Sequence, residues 1–260
     1  MSGSPAAGAA TYPDLAGKVA VVTGGSRGIG AATAEALAAN GVAVAVVGRD
    51  RAAVDGVVGT IAGAGGLAIG ETADCTREAD LARLHARVSS ELGSADILVA
   101  FAGGDGMPVA TADESPIHWR RVVESDLTST FLTISAFLPD LASRSGVILT
   151  MASAAARQAA LSSAAYAAAK AGVVALSRHL ARELAPDGIR VNCVAPSAIE
   201  NDKMRTRMPE EARRQLGASF PLGRIGQPAD VAAAALFLVS GASSWITGTT
   251  LDVAGGKVML

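Results

Sequence analysis

The sequence predicts a single α/β domain whose centre is a doubly wound parallel sheet. Short apolar runs alternate with longer helical stretches along the chain, and most of those runs lack the polar alternation of a half-exposed strand. Composition barely shifts after residue 15, with no Pro/Ser-rich linker, charge block or repeat of fixed period. The 260 residues therefore divide into a loose Ala/Gly/Ser/Pro-rich tail over 1–15 and one domain over 16–260.

The expected strands are 18–23, 42–48, 68–73, 97–101, 146–151, 190–194 and 249–253, seven in all. Helices are expected at about 28–40, 50–63, 76–92, 115–142, 163–185, 203–217 and 228–240. Right-handed crossovers then place ligands beyond the carboxyl ends of the strands, so the loops after strands one, two, four, five and six carry the chemistry.

Several activity classes are excluded at the outset. With 22 Lys+Arg against 24 Asp+Glu, the net charge of −2 gives no pull toward nucleic acid or anionic membrane. The densest apolar run, Val231 to Val239, is far short of a membrane span. The tail lacks the basic and Leu-rich regions of a signal peptide, so a soluble, cytoplasmic protein is expected. Cys75 and Cys193 lie far apart, and His85, His118 and His179 have no metal-ligand spacing, so no metal site is expected.

After the first strand comes Thr23-Gly-Gly-Ser-Arg-Gly-Ile-Gly30, opening a helix. Glycines let backbone approach a pyrophosphate, and a helix N-terminus offers unpaired N–H groups and a positive dipole end. Gly24, Ser26, Arg27, Gly28, Ile29 and Gly30 are the candidate phosphate contacts. A plain strand–helix connector is the alternative reading of the turn taken alone.

Tyr166 is the one tyrosine outside the tail, and Lys170, one of four lysines, follows it by one helical turn. On a helix these positions share a face, so the ammonium can lie beside the phenol and favour phenolate over the ordinary value near 10. Moving that value by about 3 units takes about 4 kcal/mol, which a lysine and an oxidised nicotinamide ring together can supply. Such a tyrosine can give or take a proton at an alcohol or carbonyl oxygen. Ser153, at the end of the fifth strand, can converge there to hold the reacting oxygen. An exposed helical pair and a loop serine are the bland alternatives.

With these residues in place, the chain from Lys18 to about Gly256 resembles the short-chain dehydrogenase/reductase family, in its compact branch. The motifs are Thr23-Gly-x-x-x-Gly-x-Gly30, Asp74 after the third strand, Ser153 with Tyr166-x-x-x-Lys170, Arg190-Val-Asn-Cys-Val-Ala-Pro196, and Ile246-Thr-Gly248 with Gly255-Gly256. The resemblance implies a Rossmann-type sheet of seven strands and hydride transfer between nicotinamide and a carbonyl or alcohol carbon. It makes Tyr166 the acid/base, Lys170 its tuner and a nicotinamide-ribose ligand, and Ser153 the group that orients oxygen. It adds Asp74, Ala102, Gly103, Pro196 and Ile199 to the cofactor contacts, and a variable substrate lid over about 199–220.

The chain departs from the family pattern at four places. The usual Asn-Asn-Ala-Gly after strand four reads Ala100-Phe101-Ala102-Gly103, Asp126 stands where the family has a catalytic Asn, Ser197 replaces a Gly, and Asn201 a Thr. Asp126 is carried over as a fourth catalytic residue, either ionised, favouring the Lys170 ammonium and opposing phenolate, or buried and protonated, imitating the amide's donor.

Strand two ends Val46-Val47-Gly48-Arg49-Asp50, with glycine where an NAD enzyme of this kind carries an acid. Arg49, with Arg27, is then placed to meet the 2′-phosphate of NADP, and NADP(H) is expected over NAD(H). The substrate is a small carbonyl or alcohol compound: a 3-oxoacyl thioester, or equally a ketone, sugar or polycyclic alcohol, with Met204 and Met208 as adaptable lid contacts. The Ala-rich helix from Ala164 to Val174 has small apolar residues nearly all round, which points to burial on several faces and a homo-oligomer, a tetramer by resemblance. A catalytically silent nucleotide-binding module is the reading from another class. Cofactor binding without turnover, unchanged in Tyr166→Phe, distinguishes it.

Overall fold

The computed structural model describes residues 10–104 and 106–259. Seven parallel strands form one sheet in the order β3-β2-β1-β4-β5-β6-β7. They are β1 (Val19–Thr23), β2 (Ala43–Gly48), β3 (Ala68–Thr72), β4 (Ile97–Ala100), β5 (Val147–Met151), β6 (Arg190–Pro196) and β7 (Thr250–Val253). All seven expected strands are present, each within two residues of its predicted ends. The chain reverses direction across the sheet between β1 and β4, whose register runs from Ala20↔Ile97 to Thr23↔Ala100. Open sheets of this kind bind ligands at that crevice.

Side chains of β1 alternate between two cores. Ala20 and Val22 pack with α1 (Gly28–Ala39), α2 (Arg51–Gly63) and α9 (Pro228–Val239) on one face. Val19 and Val21 pack with α3 (Glu78–Glu91), α5 (Ser129–Arg144) and the end of α6 (Ala164–Glu183) on the other. Both faces of the sheet are covered, which is why its strands read as continuous apolar runs.

Three expectations change, two in the helices and one in the tail. The stretch read as one helix over 115–142 is α4 (Pro116–Val123), a π turn (Glu124–Thr128) and α5. The lid helix over 203–217 divides into α7 (Asp202–Arg207) and α8 (Glu210–Ala218). Met208 between them is extended because Pro209 follows, and a residue before proline is pushed out of the helical region.

The tail does not reach residue 15. Leu15 is fully buried in the first core, the Tyr12 amide donates to Asn40 Oδ1, and Asp14 Oδ2 accepts from the Gly241 amide. Residues 1–9 lie outside the described residues. Finally, α6 is buried on the side toward the sheet and α4, but Ala168, Ala171 and Ala175 are exposed on the opposite side of this chain. Among the described residues no helix is long and apolar enough to cross a membrane.

Candidate functional site

The glycine-rich turn joins β1 to α1 at the crevice between β1 and β4. Gly24 has φ +66°, and a Cβ there would lie 2.7 Å from the Phe101 carbonyl oxygen, so only glycine lets the turn press against the end of β4. The turn closes on itself: a Cβ on Gly30 would sit 2.1 Å from the Gly24 carbonyl oxygen. The helix begins at Gly28, so the amides of Gly28, Ile29 and Gly30 form its open first turn. This is a backbone cradle in which a pyrophosphate fits.

Around the cradle stand the other expected cofactor contacts. Gly48 ends β2 and is buried, with its backbone against the Ser26 side chain. Arg49 beyond it is exposed, and the Arg27 guanidinium pairs with the Asp50 carboxylate. Asp74 follows β3 and accepts from both the amide and the hydroxyl of Thr76. Those bonds outweigh its partial burial and hold its carboxyl below the usual value. The Ala102 amide donates to Thr23 Oγ1 at 3.3 Å, pinning the loop after β4 to β1. Pro196 closes β6, and buried Ile199 pairs with Gly226 at the root of the lid.

Lys170 reaches from α6 to the end of β5, with Tyr166 one turn before it and Ser153 on the segment that follows the strand. Ser153 sits two residues beyond the strand, and its oxygen accepts from the Ala155 amide at 3.2 Å, leaving the hydroxyl hydrogen to donate. Tyr166 lies in the first turn of α6, whose N-cap is Ser163; the Ser163 oxygen accepts from the Tyr166 amide at 3.2 Å. One turn on, Lys170 Nζ is 5.8 Å from the centre of the Tyr166 ring.

Lys170 is buried. Its ammonium donates to the Met151 carbonyl at 3.0 Å and lies 3.0 Å from Asp126 Oδ1. Burial works against the charged lysine, but the Asp126 carboxylate and then the Tyr166 phenol outweigh it, so its pKa stands above the ordinary value. Two of the three N–H groups are thereby committed to the protein, which leaves one for the Tyr166 side.

Asp126 is fully buried in the π turn. Besides Lys170, its Oδ1 accepts from the Gly104 amide at 2.8 Å, and its Oδ2 accepts from Ser125 Oγ at 2.8 Å. Gly103 packs so closely that a Cβ on it would be 2.7 Å from Asp126 Oδ1, and its φ of +124° belongs to glycine. The Phe101 side chain turns into the core, so the loop after β4 takes its polar anchor from Asp126. Sequence reasoning placed Asp126 near Lys170 but missed Gly104 and Ser125. Their contacts depend on the π turn and on residues 22 positions apart.

A cleft of about 280 Å³ opens between the lid and β7, lined by Ser197, Ile199, Phe220, Arg224, Asp252 and Gly255 among others. Neither Ser153 nor Tyr166 nor Lys170 lines it. Arg157 and Asp252 form a two-pronged ion pair at 3.2 and 3.3 Å, tying the loop after β5 to β7. Asn201 caps α7, its side-chain oxygen accepting from the Met204 amide at 2.9 Å.

Comparison with known proteins agrees with this geometry. Residues 24–257 match the family model described as enoyl-(acyl carrier protein) reductase. The chain is 40% identical over 249 residues to the cis-4-hydroxycyclohexanecarboxylate dehydrogenase of Sinomonas cyclohexanicum, covering 93% of this chain and 97% of that protein. It is 38% identical to the 7alpha-hydroxysteroid dehydrogenase of Escherichia coli, covering 94% of this chain and 95% of that one. A solved 7alpha-hydroxysteroid dehydrogenase, complexed with NADH and 7-oxo glycochenodeoxycholic acid, superposes with a TM-score of 0.88 at 37% identity, over 96% of this chain and 97% of that one. An apo short-chain oxidoreductase from Pseudomonas aeruginosa, described as containing an atypical catalytic centre, gives 0.90 at 34% identity, over 95% of this chain and 99% of that one. With its seven-stranded sheet, its glycine-rich first turn and this degree of identity over nearly its whole length, the chain belongs to the short-chain dehydrogenase/reductase family, NAD(P)-dependent enzymes that act on CH–OH and C=O groups.

Proposed function

We propose that this enzyme is an NADP(H)-dependent oxidoreductase of a carbonyl or secondary alcohol, with Tyr166 as general acid/base. The observation that carries the reading is the buried Lys170 ammonium, 5.8 Å from the centre of the Tyr166 ring and bonded to the Met151 carbonyl at the end of β5. The nicotinamide, when bound, gives or takes the hydride. In reduction the Tyr166 hydroxyl gives its proton to the carbonyl oxygen, which Ser153 orients by donating its own hydrogen bond. Lys170, held as an ammonium, favours the phenolate left behind and offers its remaining N–H toward the ribose.

The Gly24–Gly30 turn, with Ser26, Arg27 and Ile29, holds the pyrophosphate. Asp74, Ala102, Gly103, Pro196 and Ile199 border the rest of the cofactor. NADP(H) over NAD(H) is supported by buried Gly48, which supplies no carboxylate for a ribose 2′-OH, and by exposed Arg49 next to it. Arg27, paired with Asp50, is the secondary partner.

Exposed Met107 and Leu161, on the loops after β4 and β5, support a substrate with an apolar body. Exposed Ile117, Trp119 and Phe131 on α4 and α5, with the open alanine stripe of α6, support a homo-oligomer, for which we propose a tetramer. Both cysteines are buried and unpaired, which suits a reducing, cytoplasmic compartment. The test is kcat/KM with NADPH and NADH across a carbonyl panel containing a 7-oxo bile acid, a 4-oxocyclohexanecarboxylate and a 3-oxoacyl thioester. NADPH preference is expected; equal use of NADH, or an NADH preference, overturns the cofactor assignment.

A further inference from the structure

Ser125, which no motif singles out, lies half-buried in the π turn, and its one hydroxyl hydrogen is donated to Asp126 Oδ2 at 2.8 Å, with the Val122 carbonyl at 3.2 Å the competing acceptor. This fixes one oxygen of the carboxylate. The other oxygen then has two donors at once: the Gly104 amide at 2.8 Å and the Lys170 ammonium at 3.0 Å. Three segments distant in the chain meet at this one carboxylate: the loop after β4, the π turn and α6. The same loop reaches the tyrosine, since a Cβ on Gly106 would lie 3.2 Å from Tyr166 Cε1 and Cζ.

A carboxylate free to turn about its Cβ–Cγ bond would share these donors between its two oxygens and fix neither. The Ser125 hydroxyl removes that freedom, and a buried acceptor held on one side can set the position of the donors on the other. From this geometry we infer that Ser125 and Asp126 are positioning residues, which lock Gly103, Gly104 and the Lys170 ammonium into one rigid unit beside Tyr166. The inference rests on the Tyr166–Lys170 reading of the site. It assigns Ser125 a part in the reaction although it touches no reacting atom.

The experiment is Ser125→Ala and Ser125→Thr in the full chain, read by steady-state kinetics, thermal midpoint and amide hydrogen exchange at Gly103–Gly104. In Ser125→Ala, kcat should fall about tenfold with the carbonyl KM within about twofold, because alignment for the chemical step is what is lost. The thermal midpoint should fall modestly, since Asp126 Oδ2 loses its partner, and exchange at Gly103–Gly104 should quicken by more than exchange in the strands β1 and β4. Ser125→Thr, which keeps the hydroxyl, should restore both kcat and protection. Wild-type kcat and wild-type exchange in Ser125→Ala overturn the proposal.

Should Ser125→Ala unfold, Asp126→Asn and Asp126→Glu give a second comparison. Asn keeps an acceptor for Gly104 and should keep the loop protected, whereas Glu, longer by one methylene in a closed site, should release it; equal protection in the two also overturns the proposal. Tyr166→Phe, run in parallel, separates the layers. Full activity there refutes the acid/base reading itself, whereas an inactive Tyr166→Phe beside an unaffected Ser125→Ala refutes only the lock.

Discussion

Lys170 Nζ and Asp126 Oδ1 stand 3.0 Å apart with both side chains closed off from solvent. A charge pair at that depth is stabilising only while both members are present, because either one alone is an uncompensated buried charge. Asp126→Ala should therefore destabilise the protein by about 3–5 kcal/mol, read as a lower midpoint in urea. Asp126→Leu should do the same, which separates loss of charge from loss of packing.

Asp126→Asn keeps the shape and removes the charge. It should stay active, within about tenfold of wild type or about 1.4 kcal/mol of barrier. A carboxylate opposes phenolate formation, so its removal should move the acid limb of the pH–rate profile for alcohol oxidation to lower pH. Rates measured from about pH 5 to about pH 10 check this; a profile that does not move means that the carboxylate is uncoupled from the tyrosine.

Tyr166→Phe should lose nearly all turnover while NADPH binding, followed by its fluorescence, remains close to wild type. The substitution removes the proton and leaves the ring and its packing.

At the end of β2, a Cβ on Gly48 would lie 2.6 Å from Ser26 Oγ and 2.8 Å from Ser26 Cβ. Gly48→Asp alone should cost on the order of 1–3 kcal/mol of stability by overpacking. Combined with Ser26→Gly, the new carboxylate has room, and the ratio of kcat/KM for NADH over NADPH should rise by at least about tenfold, or about 1.4 kcal/mol.

Acid should loosen the β3 edge of the sheet. Glu71 is buried; that burial raises its pKa, but the bonds from Arg87 at 2.6 Å and Arg83 at 3.1 Å outweigh it and bring the pKa below its ordinary value. A carboxyl lowered on folding stabilises the native state above its unfolded pKa, and that stabilisation is lost as the pH falls through the folded one. Both arginines are partly exposed, so the effect is on the order of 1 kcal/mol. Wild type and Glu71→Gln should differ in thermal midpoint at neutral pH and converge below about pH 4. Lys170 runs the opposite way: its pKa is raised, so the stability of its ion pair is full below the ordinary lysine value of about 10.4 and is lost only at higher pH.

Strands were legible because each is a short apolar run covered on both faces, and β1 through β7 need nothing from outside their own segments to be seen. The glycine-rich turn and the Tyr166–Lys170 pair were legible because spacing along one turn or one helix is itself the geometry. The break at Met208–Pro209 was written in the proline and was still read through. The π turn left no such mark: Glu124–Thr128 holds no Gly or Pro to interrupt the helical pattern. The bonds that Asp126 makes to Gly104 and Lys170 join residues that no periodicity relates, so local pattern could suggest proximity but not the shared acceptor. Leu15 was hidden by its company, a single buried residue at the edge of a small-residue tail.

The π turn also fixes the phase of everything downstream of it. One residue advances an α-helix by about 100°, so a chain shortened by a single position within Glu124–Thr128 would rotate α5 by more than a quarter turn against α4. Either Ile134, Phe137 and Leu141 would leave the core they share with α3, or Asp126 would swing away from Lys170. The extra residue reconciles two faces that a regular helix cannot present together, one owed to the fold and one to the reaction. Length in this segment is therefore constrained separately from identity: a one-residue deletion breaks one face or the other whichever residue is removed.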